Sequence, residues 1–453
     1  MKKDVRRSPQ ELWTAAYGLA MLGLYLLYPG TGGYETITAH KWRLYVLLTG
    51  GYVLGAAVLH LELTLVGAKK LPAPRAALGA LQPAHWAAVA YLLFTALSTA
   101  FSPHRATALW GSARREGLAA IALYCLSFLL LSACARPKKW MLWVLCAAMA
   151  ANCLLCFAQL AGFNPLGLYP PGLTYHDGNK LYAGQFLGTA GNVDILSALL
   201  CLAIPALLAA AWRIKELPLR AACLVSGGLC LGVWWGSFVA GGILGVAGAV
   251  VLSLPVLTRD KKRRRLLLAA VAALLAAAAA AVYLFGGRMG GFLFEAHELM
   301  HGRWEDHYGS GRIYIWRNVL PLVSERPLLG GGPDTLGLRT DAAFERFDEE
   351  LGILIRSAVD TAHNEYLNIA VNQGLPALAA YLTLLGASAV NWIRKAGADD
   401  VAAICGCAVL GYSIQAFFGV SSPITAPFLW MALAFLNPME ISRDTKPVGR
   451  KRT

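Results

Sequence analysis

Apolar residues along this chain come in unbroken runs of roughly 17 to 25 residues, the length that crosses a bilayer as a helix. Twelve such runs can be drawn, at 13–28, 43–67, 84–101, 118–135, 140–162, 193–212, 221–237, 240–257, 266–286, 375–393, 401–420 and 424–437. The last is short, and the hairpin around Ser237 also reads as a re-entrant turn, so the count is good to about one helix. The pattern predicts an all-α integral membrane protein of about 12 transmembrane helices, because a chain in lipid must satisfy its backbone internally. Residues 1–286 hold helices 1–9 with an outer loop at 163–191, and 375–437 hold helices 10–12. A basic tail, 438–453, follows. Between them the apolar pattern stops, and 287–374 reads as one large hydrophilic segment.

Composition agrees: 57% of residues are hydrophobic, 15% are charged and the mean hydropathy is +0.52, far from the balance of a soluble domain. The net charge of +14 suggests nucleic acid until the basic residues are sorted by loop. Seven segments on one side of the helices (the N-terminus, 69–75, 136–139, 213–220, 259–265, 394–395 and 443–452) carry 26 of the 40 Lys and Arg. The positive-inside rule places them, and both termini, in the cytoplasm. Their expected partners are membrane lipids, and no nucleic acid is expected. The first apolar run has a basic flank without a small-residue cleavage site, so it reads as a retained anchor of a multi-pass protein of the cytoplasmic membrane. All ten cysteines fall within the runs and read as buried apolar thiols.

The same alternation places 287–374 outside the cell. It holds 13 of the 26 acidic residues and four of the nine histidines. It reads as an extracytoplasmic catalytic segment of helical pieces, such as an amphipathic 344–355, broken by a turn at 330–333. The outer loop 163–191 is rich in Gly, Pro and Tyr.

Three constellations there bear on chemistry. His297-Glu298-Leu299-Met300-His301 matches the zinc-peptidase pattern H-E-x-x-H. His307 falls where a third ligand would, but Trp304 stands where the longer pattern needs Gly. Motifs this short arise by chance, and an amphipathic surface helix is the expected reading, with no metal and no cofactor. The second is 311–336, where Arg312 and Trp316 lie one helical turn apart and Arg317 follows. A fixed guanidinium at a membrane face suits a phosphate, and a solvated arginine at a helix end is the plainer alternative. The third is Asp360-Thr361-Ala362-His363-Asn364-Glu365-Tyr366-Leu367 before Gly374-Leu375-Pro376. A histidine at a water–membrane boundary beside carboxylates suits a general base, although a lone histidine is more often structural. Twelve helices with cytoplasmic termini also fit a transporter or a flippase of lipid-linked glycans. However, Glu62 and Asp194 are the only carboxylates in the spans, the two halves look unlike, and the outer segment fits an enzyme better.

The second and third constellations, in this order, resemble the O-antigen ligase and polymerase superfamily of WaaL-type ligases and Wzy-type polymerases. The likeness lies in Arg312-x-x-x-Trp316, Pro327-Leu-Leu-Gly330-x-Gly332, and His363-Asn364 with nine residues before Gly374. Gly188-Thr-Ala-Gly-Asn192-Val-Asp194, the 412–426 run and Arg114-Arg115-Glu116-Gly117 add to it. The resemblance implies metal-independent, inverting transfer of a glycan from undecaprenyl diphosphate to an acceptor hydroxyl at the outer membrane face. The donor would be a lipid-linked oligosaccharide or polysaccharide, and the acceptor a glycan, a lipid or a wall polymer. By the same resemblance His363 is the base and Arg312 a diphosphate ligand, with Asn364 and Glu365 orienting the histidine and Trp316 lining the site. Ligases of the family carry Ser-Arg at an outer turn where this chain has Ser237-Phe238. Arg115, Arg317 and Arg356 are the candidates to replace that second arginine.

Overall fold

Each of the twelve apolar runs folds as a helix in the computed structural model, which describes residues 8–65, 79–176, 184–348 and 353–439. In chain order they are α1 (Pro9–Leu19, extended by a π-helix, Ala20–Tyr25), α2 (Ile37–Leu65) and α3 (Pro83–Ala100). The short α4 (Arg105–Trp110) precedes α5 (Leu118–Cys134), α6 (Lys139–Leu160), α7 (Val193–Arg213), α8 (Leu217–Ser237), α9 (Ala240–Leu257) and α10 (Lys261–Phe285). Then follow α11 (Phe292–Met300), α12 (Arg312–Glu325), α13 (Glu365–Gln373), α14 (Leu375–Lys395), α15 (Asp400–Gln415) and α16 (Ala426–Leu436). Seven helices among the described residues are long and apolar enough to cross a membrane, and α5, α15 and α16 are shorter apolar helices. The protein is therefore a nearly all-α membrane protein. The basic segments 69–75 and 443–452, and part of the loop 163–191, lie outside the described residues.

Polar residues set the starts of these helices. Ser8, Asn192, Asp260 and Asp399 each accept a hydrogen bond from a first-turn amide of α1, α7, α10 and α15, which satisfies donors that the helix itself leaves free. At the centre stands α7, buried over 89% of its most apolar stretch, whereas α10 is buried over 6%. Small residues allow the close crossing there: a Cβ on Gly411 of α15 would come within 2.2 Å of the Cys201 carbonyl oxygen of α7.

The basic loops gather at one end of this bundle. Arg213 pairs with Asp400 at 2.7 Å, Lys139 pairs with Glu216, and Arg213 and Arg259 both donate to the Gly397 carbonyl. At the other end of α7 and α15 sits 287–374, tied down where Glu365 N donates to Ala416 O at 2.8 Å.

Two hairpins correct the all-α expectation. Phe186–Leu187 (β1) pairs with Gly191–Asn192 (β2). The described residues of 344–355, a stretch expected as an amphipathic helix, lie instead in two antiparallel strands, β3 (Ala343–Asp348) and β4 (Ile353–Ala358). Phe344, Phe347, Leu351 and Ile355 carry helical spacing, which misleads. Gly352 in the middle costs a helix about 1 kcal/mol relative to Ala. Two isoleucines follow it and favour strand, and the register puts Glu345 opposite Arg356. Past the end of β4, α12, a 3₁₀ turn and α13 share a small core of Ile315, Val319, Leu336, Val359, Ala362 and Val371.

The spacing of nine residues between Asn364 and Gly374 is α13 itself, a nine-residue helix. Gly374 ends it at φ +92°, ψ 166°, a region only glycine enters freely. A Cβ there would lie 2.3 Å from Leu328 O. Gly330, at φ +59°, presses on the Asn372 carbonyl carbon, 2.4 Å from where its Cβ would be. The 327–332 turn is thereby clamped on the end of α13. Gly374→Ala should lower thermal stability by about 1–3 kcal/mol, read from melting of the detergent-solubilised protein. Gly50→Ala, in α2 with open space around it, should instead be neutral or gain up to about 1 kcal/mol. Equal melting of the two variants would refute the clamp.

Candidate active site

His363 immediately precedes Asn364, the N-cap of α13, with its backbone in the left-handed region at φ +44°, a conformation that costs a non-glycine residue about 1–3 kcal/mol. Several bonds hold it there. Trp316 Nε1 donates to Ala362 O at 3.0 Å, and Ala362 N donates to Asn368 Oδ1 at 3.3 Å. Asn364 Oδ1 caps α13 by accepting from Leu367 N at 3.0 Å. Behind it the buried Glu365 carboxyl accepts from Tyr381 at 2.5 Å and from Tyr412 at 2.8 Å. Asn364, Glu365 and Trp316 thus act on the site by fixing the turn that presents the imidazole.

Arg312 is the first residue of α12, and its guanidinium is shaped by the 418 turn. Nε and Nη2 donate to Phe418 O at 3.1 and 2.8 Å, and Nη1 donates to Gly309 O at 2.7 Å. No carboxylate bonds it among the described residues, and Asp194 and Glu295 reach it only through their field.

The second guanidinium beside His363 is Arg114. It sits on the 111–116 turn and forks onto Asp360, Nε to Oδ2 at 3.2 Å and Nη2 to Oδ1 at 3.3 Å. Asp334 fastens that turn: its Oδ2 accepts from Ser112 N at 2.5 Å and Glu116 N at 3.3 Å. Asp334 belongs to the turn clamped on α13, bound further by Gly332 N to Asn372 O at 2.7 Å and Ser102 Oγ to Gly331 O at 2.6 Å. One glycine-rich turn therefore positions both the histidine helix and the arginine loop.

The charges explain the histidine's state. Burial, then the positive fields of Arg114 and Arg312, hold the imidazole down to about 4, opposed by Asp194 and Asp360. A pKa held that low leaves the imidazole uncharged at neutral pH, within the fields of two guanidiniums. Beneath it burial pushes Glu116 up to about 8, although Tyr124 donates to it at 2.6 Å. Glu365 and Asp334 are also raised, both chiefly by burial.

The other arginines expected near the site lie elsewhere. Arg115 points its guanidinium at the Trp42 ring, 5.6 Å from the centroid. Arg317 donates to Asp306 at 2.6 Å and to Trp304 O at 3.1 Å. Arg356 is exposed on β4. Phe238 caps α8 with φ +43° and is exposed beside Trp235. Arg114 was missed by sequence reasoning although it adjoins Arg115 in the quoted run; only the twist of the turn tells the two apart. Glu116 stands in the same quoted run with no role assigned to it, and the contribution of Asp334 had no sequence signal of its own.

The H-E-x-x-H stretch makes other contacts. His297 Nδ1 bonds Val282 O at 3.0 Å, and His301 Nδ1 bonds His297 O at 2.8 Å with its ring stacked on Tyr283. Glu298 is forked by Arg303 at 2.5 and 2.6 Å. Among the described residues no group of three or more His, Cys, Asp or Glu side chains is placed to hold a metal ion. Replacing both His297 and His301 with Ala should leave the zinc content of purified protein unchanged and glycan transfer largely intact. Stoichiometric zinc lost in the double variant would restore the peptidase reading.

No curated protein matches the chain. The family model described as O-antigen ligase matches residues 225–382, from α8 into α14, and so takes in Arg312, the clamped turn and His363. Over that segment, about a third of the chain, the protein is similar to the O-antigen ligase family.

Proposed function

We propose that this protein transfers or polymerises a glycan from an undecaprenyl-diphosphate donor onto an acceptor hydroxyl at the outer face of the cytoplasmic membrane, without a metal ion. What carries the reading is His363, held in a left-handed turn at the start of α13 and within the positive fields of Arg114 and Arg312. Lipid-linked glycans are the substrates that the family implies in general. In the reaction the acceptor oxygen attacks the anomeric carbon from the face opposite the diphosphate. The new C–O bond forms as the bond to the diphosphate breaks, and the acceptor's proton passes to His363. The departing diphosphate gathers negative charge against Arg114 and Arg312, which already stand in place, so little reorganisation is required. The energy is stored in the glycosyl diphosphate, and no nucleotide is needed outside the cell. Arg114 takes the role for which Arg115, Arg317 and Arg356 were candidates. Asp360, released from Arg114 when the diphosphate binds, remains beside His363 to favour its protonated form.

Donor binding should therefore strengthen the base. A diphosphate between the two arginines cancels the field that depresses His363, so its pKa rises. The acid limb of the kcat profile, which reports the bound enzyme, should lie at higher pH than that of kcat/KM, which reports the free enzyme near 4. His363→Ala should cut transfer by about a hundredfold or more while donor affinity holds, because a base acts in the transition state. Arg114→Ala and Arg312→Ala should each weaken donor binding about ten- to a hundredfold, the worth of a charge-assisted contact of about 1.5–3 kcal/mol. Arg317→Ala and Arg356→Ala should be near silent. The assay is transfer from purified lipid-linked donor, with donor affinity measured separately. Unimpaired transfer by His363→Ala would remove the base, and unimpaired donor affinity in Arg114→Ala would remove the second anchor.

The proposed orientation has about twelve spans, both termini in the cytoplasm and the site outside. Cysteine in place of Met300, in a Cys-free background, should react with an impermeant maleimide in intact cells, and cysteine in place of Lys262 only after permeabilisation. The reverse pattern would turn the protein over and put the site on the wrong side for this donor.

A further inference from the structure

A second feature stands at the far end of the bundle. Between α6 on one side and α7, α15 and α16 on the other lies a cavity of about 310 Å³, at the low end of the range of about 300–1,000 Å³ for ligand sites. Its walls are hydrocarbon: Leu142, Leu145, Leu199, Ala203, Ile404 and Phe428 among others. The π-helix supplies Leu22, and Leu26 follows at its end; such widened turns are frequent at functional sites. Among the described residues the charged ones lining it are Lys138, Lys139 and Asp400, all where α6 and α15 begin.

The charge at this mouth is unbalanced. Asp400 is held by Arg213 at 2.7 Å and Glu216 by Lys139. Lys138 is exposed with no partner among the described residues. It shares the adjoining hollow with Arg136, Glu11 and Phe435, and the Arg136 guanidinium donates to its neighbouring carbonyl, Ala135 O, at 2.8 Å. An apolar chamber with a cationic rim suits an amphiphile with an anionic head. Distance keeps the diphosphate of the proposed glycan donor from this rim: α7 has 21 residues, about 30 Å of rise, and His363 lies at its other end. The terminal residues 1–7 and 440–453 are too polar and basic to fill hydrocarbon walls beside a cationic rim.

We propose that the cavity binds one hydrocarbon chain of an anionic phospholipid from the leaflet opposite the catalytic site, with its phosphate on Lys138 and Arg136. The lipid would fill the gap between α6 and the central helices that carry Asp194 and the Phe418 turn to the site. It is a bound lipid distinct from any substrate.

The experiment uses the full chain in phosphatidylcholine vesicles containing phosphatidylglycerol with a photoactivatable diazirine on one acyl chain. Crosslinks should fall on Met141–Met149 and Leu199–Ala206, and unlabelled phosphatidylglycerol should compete for them several-fold better than phosphatidylcholine. Ala203→Phe, which fills the chamber, should cut this labelling several-fold. Arg136→Gln with Lys138→Gln, both exposed, should abolish the preference for the anionic lipid while the protein still folds, and so keeps the test decisive if Ala203→Phe misfolds. Labelling confined to lipid-facing positions such as Leu274 and Leu284 of α10 would overturn the proposal. So would equal competition by the two lipids, or an anionic preference unchanged in the double variant.

Discussion

Gly374 and Gly330 meet the backbone of other segments so closely that no side chain fits between them, and this contact organises the catalytic end of the molecule. It presses the 327–332 turn onto the last residues of α13. A short amphipathic helix would have little reason to keep one orientation on top of a membrane bundle. Clamped at its C-terminus and capped by Asn364 at its start, α13 is held at both ends, and His363 is forced into a left-handed backbone just before it. The strain there is borne by surrounding bonds from Trp316, Asn368, Tyr381 and Tyr412.

The same turn reaches in a second direction. Asp334, two residues past Gly332, spends its carboxylate on the amides of the 111–116 loop, so the arginine of an early loop and the histidine of a late helix move as one unit. Such coupling suits chemistry that depends on geometry more than on acid strength. In the proposed reaction the leaving diphosphate would need two fixed cations and the acceptor a fixed base, while the energy comes with the substrate. The fields of Arg114 and Arg312 lower the proton affinity of His363, which keeps the site from holding a third positive charge.

The bundle below supplies rigidity unevenly. α7 is enclosed on all sides and bears Asp194 at the catalytic end, and α15 crosses it through Gly411 and leads to the Phe418 turn that orients Arg312. At the opposite end the packing opens into the apolar cavity beside α6. A loosely filled core under a tightly built site is a natural place for the membrane to contribute a chain of its own.

Much of this was legible in the sequence. Hydropathy is a local property, so the twelve apolar runs locate their helices to within a few residues, and capping residues such as Asn192 and Asp399 mark where helices begin. The motif residues His363, Arg312 and Gly374 stood out for the same reason: each belongs to a short local pattern. What tertiary structure decided were choices between near equals. Arg114 and Arg115 are adjacent and chemically identical, and only the left-handed turn at Arg115, set by Asp334 more than two hundred residues away, sends one to Asp360 and the other to Trp42. The 344–355 stretch carries a helical stripe, yet pairing between strands outweighed it. Asp334, Glu116 and Trp316 owe their roles to partners distant in the chain, because a hydrogen bond across the fold leaves no periodicity in the sequence.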